Sequence, residues 1–204
     1  MNKIMPVIIT QNQCLAIILK KKEINDKLFI AVGGLSRSGK STFIANMQEK
    51  LNSYNVLSAT IPLDCWILPV EKRKPDMTVR ERYQYDQLTK DLEELIHNEE
   101  LSFFPYYAHT RSVSTMQTCI SIKKATCIFI DGVIALDHPY IKRISSLKVY
   151  TEEKEEVRKA RFIRFYKLKD MFEKDIQSLY EERQKDEFPF IVRSKESADY
   201  IIQL

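Results

Sequence analysis

The residues with the clearest chemical meaning form a short segment that begins and nearly ends with glycine. Residues 34–41 read Gly-Leu-Ser-Arg-Ser-Gly-Lys-Ser and match the pattern G-x-x-x-x-G-K-[ST] at every fixed position. The glycines let backbone N–H groups turn toward phosphates, Lys40 reaches the outer phosphates, and the Ser41 hydroxyl can ligate Mg²⁺. An apolar run at 28–32 and helical spacing over 41–51 predict a strand before this segment and a helix after it. This order predicts a phosphate-binding loop.

Two aspartates stand directly after predicted strands. Asp64 follows the predicted strand 55–61, and Asp131 ends the predicted strand 127–130. Ligands bind beyond the carboxyl ends of the strands in an open α/β sheet. Both carboxylates are therefore expected to lie where a phosphate ligand would bind. Such a carboxylate can hold Mg²⁺ or accept the proton of an attacking hydroxyl. A capping role at a helix or turn is the alternative for either residue.

Three arginines recur at three-residue steps in a charged helix predicted from residue 152 to about residue 169. Arg158, Arg161 and Arg164 therefore occupy neighbouring positions on one slanted face. Phosphoryl transfer needs positive charge that closes over the transition state, and arginine supplies it as a planar fork. A solvated helix face is the alternative. Together with the phosphate loop, the pattern predicts that Arg158 and Arg161 reach the transferred phosphate.

The elements that must position these residues alternate between strand and helix along the chain. Beyond those already named, the predicted elements are helices over 5–23, 78–97 and 172–186, a small β-rich insertion at about 103–122, and strands at 147–150 and 198–202. The alternation predicts an α/β fold with three layers, α/β/α, and a mostly parallel sheet. We expect one domain over residues 1–204, with an N-terminal helix within 1–26 and a helical lid at about 152–186.

Composition excludes several classes of protein. The chain has 204 residues, with 32 basic and 28 acidic side chains, and this near balance does not favour a nucleic-acid partner. The basic runs at 20–22 and 72–74 are predicted to be solvated rather than a binding patch. No segment has the roughly 20 apolar residues of a membrane helix. Four cysteines without C-x-x-C spacing predict buried thiols in a reducing compartment, and hence a cytoplasmic protein.

Taken in chain order, the motifs resemble the uridine kinase and phosphoribulokinase family of P-loop kinases. The likeness spans residues 28–202 and rests on the phosphate loop and on five shorter segments: Leu63-Asp64-Cys65-Trp66, Pro105-Tyr106-Tyr107, Ile130-Asp131-Gly132-Val133, Arg158-x-x-Arg161 and Ala198-Asp199-Tyr200-Ile201-Ile202. Only the phosphate loop is specific by itself, and the others gain weight from their order. The resemblance implies the P-loop NTPase fold.

The resemblance also implies ATP and Mg²⁺ as cofactors and assigns roles to individual residues. It implies that Asp64 is the general base, that Lys40 is catalytic, and that Arg158 and Arg161 belong to the lid. The implied ATP-binding residues are Gly34, Leu35, Ser36, Arg37, Ser38, Gly39, Lys40, Ser41 and Thr42. The implied metal-binding residues are Ser41, Asp64 and Asp131. The residues implied to face the substrate are Asp86, Tyr107, His109 and Arg111.

Departures from the family pattern fall on the substrate side. Ala108 stands where the family has aspartate, the stretch from Tyr107 to Arg111 is short, the strand-end glutamate is Asp131, and Tyr85-Asp86 only partly replaces the Phe-Asp-His-Pro segment. The resemblance implies a kinase that transfers the γ-phosphoryl of ATP to a small-molecule hydroxyl, with a nucleoside favoured. Pantothenate or a sugar phosphate, an ATP-binding switch, and a family member that has lost its substrate are the alternatives. A homo-oligomer is left open.

Overall fold

A six-stranded sheet lies between layers of helices in the computed structural model, which describes residues 5–74, 76–107, 112–113 and 117–204. The strands are β1 (Val7–Ile9), β2 (Leu28–Gly33), β3 (Ser58–Pro62), β4 (Glu100–Phe103), β5 (Tyr106–Tyr107), β6 (Ser112–Val113), β7 (Thr118–Ser121), β8 (Cys127–Asp131), β9 (Leu147–Glu152) and β10 (Tyr200–Gln203). The helices are α1 (Gln11–Lys22), α2 (Lys40–Ser53), α3 (Tyr85–Asn98), α4 (Pro139–Ile144), α5 (Glu155–Lys167), α6 (Glu173–Lys185) and α7 (Glu187–Ser194).

The order of the strands brings the carboxyl ends of β2, β8 and β3 side by side. The sheet runs β1-β10-β9-β2-β8-β3, and all of its neighbouring strands are parallel. Val32 of β2 and Pro62 of β3 both pair with Asp131 of β8, so the three strands end at one level. The phosphate loop follows β2, and Asp64 follows β3. The sheet therefore gathers the predicted phosphate and carboxylate groups at one edge.

Alternate residues of the central strands point to opposite faces, and both faces are buried. In β2, Leu28, Ile30 and Val32 pack with α1 and α2, whereas Phe29 and Ala31 pack with the layer that contains α3 and α4. Because both faces are covered by helices, the strands read as continuous apolar runs rather than as an alternating pattern. The predicted three-layer α/β/α fold with a mostly parallel sheet is confirmed.

The β-rich insertion begins slightly earlier than predicted. Strand β4 pairs antiparallel with β7, and the short strands β5 and β6 pair with each other, so the insertion extends back to Glu100. Only backbone pairing is described for Tyr107 in β5. His109 and Arg111, predicted to face the substrate, lie outside the described residues.

The predicted helix over 5–23 is wrong in its first third. Val7–Ile9 form β1, which pairs with β10 at the edge of the sheet. The helix begins only after Thr10, whose hydroxyl accepts a hydrogen bond from the backbone of Gln13, while the Gln13 side chain accepts one from the Thr10 backbone. This reciprocal capping box satisfies two otherwise unpaired donors and fixes the start of α1. Ile8, assigned to the helix by its spacing, is half exposed on the edge strand.

Two further helix boundaries differ from the prediction. Helix α3 begins at Tyr85 rather than at Thr78, because residues 82–84 run antiparallel to residues 66–68, with a bridge between Ile67 and Tyr83. In the segment predicted to form the lid, β9 extends to Glu152, so α5 begins at Glu155. Helix α7, which was not predicted, adds Phe188 to the apolar cluster that Phe162 of α5 forms with Ile176 and Tyr180 of α6.

The cysteines were predicted to be buried thiols, and no segment was predicted to cross a membrane. All four thiols are free, and three of them are buried, whereas Cys119 is exposed on β7, contrary to the prediction of buried thiols. None of the helices in the described ranges combines the length and the apolar character needed to cross a membrane.

Candidate active site

The phosphate loop takes a conformation that only glycine permits at two of its positions. Gly34 has φ of 143°, and a Cβ there would lie 2.5 Å from the Thr151 carbonyl oxygen. Gly39 has φ of 87° and is the N-cap residue of α2. Side chains are strained in this region of φ, so both positions require glycine. The loop thus ends at the N-terminus of a fourteen-residue helix, where unpaired N–H groups favour an anion.

Lys40 lies inside the loop rather than in solvent. Its ammonium group donates to the backbone oxygens of Gly34 at 3.1 Å and Leu35 at 3.0 Å. Burial lowers the pKa of Lys40, and the carboxylates of Asp131 and Asp64 partly offset this effect. The charge is therefore held in place where phosphate oxygens would replace the two carbonyl partners.

Ser41 and Asp131 form a pair that fits Mg²⁺. The Ser41 hydroxyl donates to Oδ2 of Asp131 at 2.8 Å, while Oδ1 of Asp131 is buried and has no hydrogen-bond partner among the described residues. Burial is the main reason that the pKa of Asp131 is raised, and Lys40 and Ser41 oppose it. A hydroxyl and a carboxylate are the oxygen ligands that Mg²⁺ takes together with substrate phosphates and water.

Asp64 is exposed at the carboxyl end of β3, in a short 3-10 turn over Leu63–Cys65. Its Oδ1 lies 3.4 Å from the hydroxyl of Tyr83, which donates toward it. Burial raises the pKa of Tyr83 well above its usual value, and the nearby charges of Asp64 and Glu187 add to the effect. Tyr83 therefore stays protonated and can donate to Oδ1 of Asp64. The other carboxylate oxygen, Oδ2, can then contact a substrate.

A cavity of about 220 Å³ opens at Cys65 and Trp66, the two residues that follow Asp64 in the chain. Its lining consists of Cys65, Trp66, Gln84, Gln87, Asp91, Phe103 and Phe104. Trp66 stacks on Phe103 with ring centroids 4.8 Å apart and donates from its indole nitrogen to Asp91 at 2.6 Å. Nε2 of Gln84 is buried without a partner among the described residues. The cavity has aromatic walls and a polar side, which suits a small molecule that carries hydrogen-bonding groups.

Asp86, predicted to face the substrate, is exposed on α3. Its negative charge raises the pKa of His138 against the opposing effect of burial. Gln84 and Gln87 are the residues of this segment that line the cavity.

Of the two predicted lid arginines, only Arg161 lies at the phosphate loop. Its Nη1 would be 3.5 Å from a Cβ at Gly39, and its Nη2 pairs with Glu153 at 2.9 Å. The structure does not bring Arg158 to the loop. That side chain is 1% exposed, donates to Glu155 and to the Tyr180 hydroxyl, and stands 4.1 Å from the centre of the Phe188 ring. Aromatic residues from α6 and α7 enclose it.

With this geometry described, comparison with known proteins identifies the family. The sequence pattern named Phosphoribulokinase / Uridine kinase family matches residues 29–204. The chain belongs to this family. The family and the fold are therefore those that the resemblance implied.

The relatives of the chain within this family are distant. A uridine kinase of Lactobacillus helveticus (strain DPC 4571) is 26% identical over 138 residues, which span 64% of this chain and 64% of that protein. A possible uridine kinase from Bacillus stearothermophilus is 18% identical, with a TM-score of 0.60 over 95% of this chain and 100% of the other. A protein provisionally named a fructose transport system kinase, from Silicibacter sp. TM1040, is 14% identical, with a TM-score of 0.72 over 96% and 99%. The two structures share the fold.

Sequence reasoning missed polar and aromatic contacts of the helical segment after β9, including one with the phosphate loop. Arg183 of α6 donates to the Tyr166 hydroxyl at 2.9 Å and lies 3.6 Å from Glu187. The guanidinium of Arg37, in the phosphate loop, stands 3.4 Å from the centre of the Phe165 ring of α5. Arg183 and Glu187 belong to a strongly charged segment, and no local signal distinguishes them from a solvated helix face.

The two lid arginines are expected to respond differently to alanine. Arg158→Ala should lower the free energy of unfolding by about 1–3 kcal/mol, because buried hydrogen bonds are lost. Arg161→Ala should also lower the melting temperature, because it leaves the carboxylate of Glu153, whose side chain is 5% exposed, without this partner. Unlike Arg158→Ala, it should in addition reduce kcat about 10- to 100-fold, because Arg161 lies at the phosphate loop. Thermal unfolding and steady-state kinetics measure both effects. A large loss of kcat in a fully stable Arg158→Ala protein would contradict the assignment.

Proposed function

We propose that the protein is an ATP- and Mg²⁺-dependent kinase that transfers the γ-phosphoryl group to a hydroxyl of a small molecule. The observation that carries the proposal is the shared sheet edge. Lys40, Ser41 and Asp131 stand at the ends of β2 and β8, and the exposed Asp64 follows the adjoining strand β3, next to a cavity. Donor and acceptor groups would therefore meet at one edge of one rigid sheet.

In this proposal each residue has a distinct task. The loop amides and Lys40 hold the outer phosphates, Asp64 accepts the proton of the acceptor hydroxyl, and Arg161 adds positive charge from the lid. Ser41 and Asp131 would hold Mg²⁺, which, when bound, neutralises charge on the phosphate oxygens. Arg158 acts as a positioning residue that keeps α5 and α6 packed. Catalysis would rest on placement and electrostatics, because the chemistry requires little else of the protein.

The acceptor is the part of the proposal with the least support from relatives. The names of similar proteins favour a nucleoside as the acceptor. The uridine kinase of Lactobacillus helveticus, however, is only 26% identical to this chain. Pantothenate and a sugar phosphate are the alternatives. The aromatic and amide lining of the cavity accepts either a base or a sugar, so shape alone does not choose between them.

A panel experiment tests the proposal. Consumption of ATP is measured with Mg²⁺ and single candidate acceptors: uridine, cytidine, ribose 5-phosphate, glycerate and pantothenate. The expected result is stoichiometric ADP and phosphorylated acceptor for at least one compound, with Lys40→Ala as the blank. Direct detection of the phosphorylated product by mass spectrometry separates transfer from simple hydrolysis.

Two other outcomes would contradict a kinase. Binding of Mg²⁺ and ATP with no acceptor phosphorylated would favour an ATP-binding switch, or a family member that has lost its substrate. Absence of ATP binding would remove the nucleotide site altogether. Isothermal titration with the non-hydrolysable analogue AMP-PNP distinguishes these two cases.

A further inference from the structure

Thr151, near the end of β9, carries a buried hydroxyl without a predicted role. Side chains alternate along a strand, so Leu147, Val149 and Thr151 lie on the same face of the sheet. Leu147 and Val149 belong to the apolar cluster between the sheet and α2. Strand β9 then continues beyond the last residue of β2, Gly33, which pairs with Tyr150. Thr151 therefore lies where the phosphate loop leaves the sheet, and it is fully buried there.

The Thr151 hydroxyl joins the two ends of one segment of the phosphate loop. It donates to the Gly33 carbonyl oxygen at 3.3 Å, and its oxygen lies 2.8 Å from the hydroxyl oxygen of Ser38. Because a hydroxyl carries one hydrogen, the Ser38 hydroxyl is the donor in the second contact. Ser38 is buried as well. These two hydrogen bonds, from Ser38 to Thr151 and from Thr151 to Gly33, form a hydroxyl relay across residues 33–38.

Both donors of Ser38 have partners within the protein. Its hydroxyl donates to Thr151 in the hydroxyl relay, and its backbone N–H donates to the Leu35 carbonyl at 3.1 Å. Neither donor is available to a phosphate in this arrangement. The resemblance implied that Ser38 binds ATP, whereas these contacts hold the turn of the loop.

The glycine at position 34 is required in part by the hydroxyl relay. A Cβ at Gly34 would lie 2.5 Å from the Thr151 carbonyl oxygen, 2.6 Å from Thr151 Oγ1 and 2.8 Å from Ser38 Oγ. Real Cβ atoms do not approach other atoms so closely, so a side chain at position 34 and the relay exclude each other. The first fixed glycine of the motif therefore leaves room for contacts with a residue of β9.

The hydroxyl relay acts on Lys40 through the backbone that it fixes. The Lys40 ammonium group donates to the carbonyl oxygens of Gly34 and Leu35, and both residues lie within the segment that the relay spans. Without the relay, the buried Ser38 hydroxyl would lose this acceptor, and an unpaired buried donor favours a rearranged loop. A rearrangement would move the carbonyl groups that hold Lys40 and the amides that meet phosphate. Displacements of about 1 Å in such a site can cost about 100-fold in rate.

We infer that Thr151 is a positioning residue of the phosphate loop, and that its hydroxyl keeps the loop in the shape that binds the phosphates of ATP. The inference rests on the nucleotide-binding part of the proposed function and extends the nucleotide site beyond the G-x-x-x-x-G-K-[ST] motif. Thr151 is fully buried and acts through Gly33 and Ser38 rather than by contact with the nucleotide.

Two substitutions of Thr151 separate its hydroxyl from its packing. Thr151→Val keeps the branched shape and removes the hydroxyl, whereas Thr151→Ser keeps the hydroxyl and removes the methyl group. The dissociation constant of AMP-PNP with Mg²⁺, measured by isothermal titration, should rise about 10- to 100-fold in Thr151→Val, because a buried donor loses its acceptor. It should stay within about three-fold in Thr151→Ser, which retains the relay. A packing role alone predicts the reverse order, and that order, or unchanged affinity in Thr151→Val, would overturn the inference.

Ser38 provides an independent test, with Ser194 as the matched control. Ser194 is also buried, and its hydroxyl donates to the Ile191 carbonyl at 2.7 Å within α7. Both alanine variants lose the hydrogen bond of a buried hydroxyl, so both should melt at a lower temperature. Ser38→Ala should weaken AMP-PNP binding about 10-fold, whereas Ser194→Ala should stay within about two-fold of wild type. Equal affinity of the two variants for AMP-PNP would contradict the inference.

The double variant, Ser38→Ala together with Thr151→Val, tests whether the two hydroxyls act as one unit. Members of one hydrogen-bond network are not additive, so the double variant should bind AMP-PNP within about two-fold of Thr151→Val. If the two single losses multiply, Ser38 contributes separately from Thr151 and the inference fails. Failure of the kinase proposal is recognised separately, by wild-type protein that binds AMP-PNP but phosphorylates no acceptor. Wild-type protein that binds no nucleotide would remove both.

Discussion

Lys40→Ala is expected to reduce kcat/KM for ATP about 1,000-fold or more. The ammonium group is already inside the loop, where it donates to the Gly34 and Leu35 carbonyls, and phosphate oxygens would replace these two partners. Charge fixed in advance in a site that excludes water stabilises a transition state far more than a solvated charge does, and loss of one such group costs about 100- to 1,000-fold. Lys40→Ala also lacks the attraction for the bound triphosphate, which should weaken ATP binding.

The control is Lys50→Ala, at the other end of α2. Its ammonium group donates to the Asn12 side chain, far along the helix from the loop. Lys50→Ala should retain kcat and ATP affinity within about two-fold. Titration of AMP-PNP and steady-state kinetics on both variants, with melting temperatures to verify folding, complete the measurement. If Lys40→Ala retains more than about a tenth of wild-type kcat/KM, Lys40 does not have the assigned role.

The parts of the site that could be predicted from sequence are those set by local chemistry. The phosphate loop requires glycine at fixed positions, and Gly34 and Gly39 indeed take φ values that exclude a side chain. Asp64 and Asp131 could be placed because a parallel sheet presents the carboxyl ends of its strands at one edge. Residues 10–13 also carried a capping-box signal, Thr-x-x-Gln, that would have located the start of α1.

The role of Arg158 could not be read from its helix. Arg158 and Arg161 are three residues apart, and spacing alone makes them equivalent. What separates them is the packing of α6 and α7, which bring Tyr180 and Phe188 around Arg158 and leave Arg161 at the loop. Those residues lie 22 and 30 positions further along the chain, beyond the reach of any periodicity argument.

The acceptor side is assembled from even more distant segments. Tyr83, whose hydroxyl donates toward Asp64, comes from the turn before α3, and no motif links the two residues. Gln84 lines the cavity because residues 82–84 pair with residues 66–68. No motif in the sequence predicts this pairing. Tertiary packing therefore decides which polar residues face the substrate, whereas backbone chemistry fixes the phosphate loop.

Asp64→Asn is expected to leave ATP bound while reducing kcat by about 100- to 10,000-fold, the range associated with a positioned general base. The amide keeps the shape of the side chain and its contact with the Tyr83 hydroxyl, but it cannot take a proton from the acceptor. The phosphate loop and the Ser41–Asp131 pair are untouched, so the affinity for AMP-PNP should change less than about three-fold if Asp64 does not ligate Mg²⁺ directly.

The comparison of kcat with nucleotide affinity distinguishes the two roles predicted for Asp64. Loss of both would indicate a metal ligand, since removing an Mg²⁺ ligand weakens the nucleotide complex as well as the reaction. Loss of kcat alone indicates the base, and full activity would exclude both roles. Asp76→Asn, an exposed aspartate in the segment that follows β3, is the matched control and should behave as wild type. Because Asp64 is exposed and follows β3, whereas Ser41 donates to Asp131 of β8, we expect loss of kcat alone.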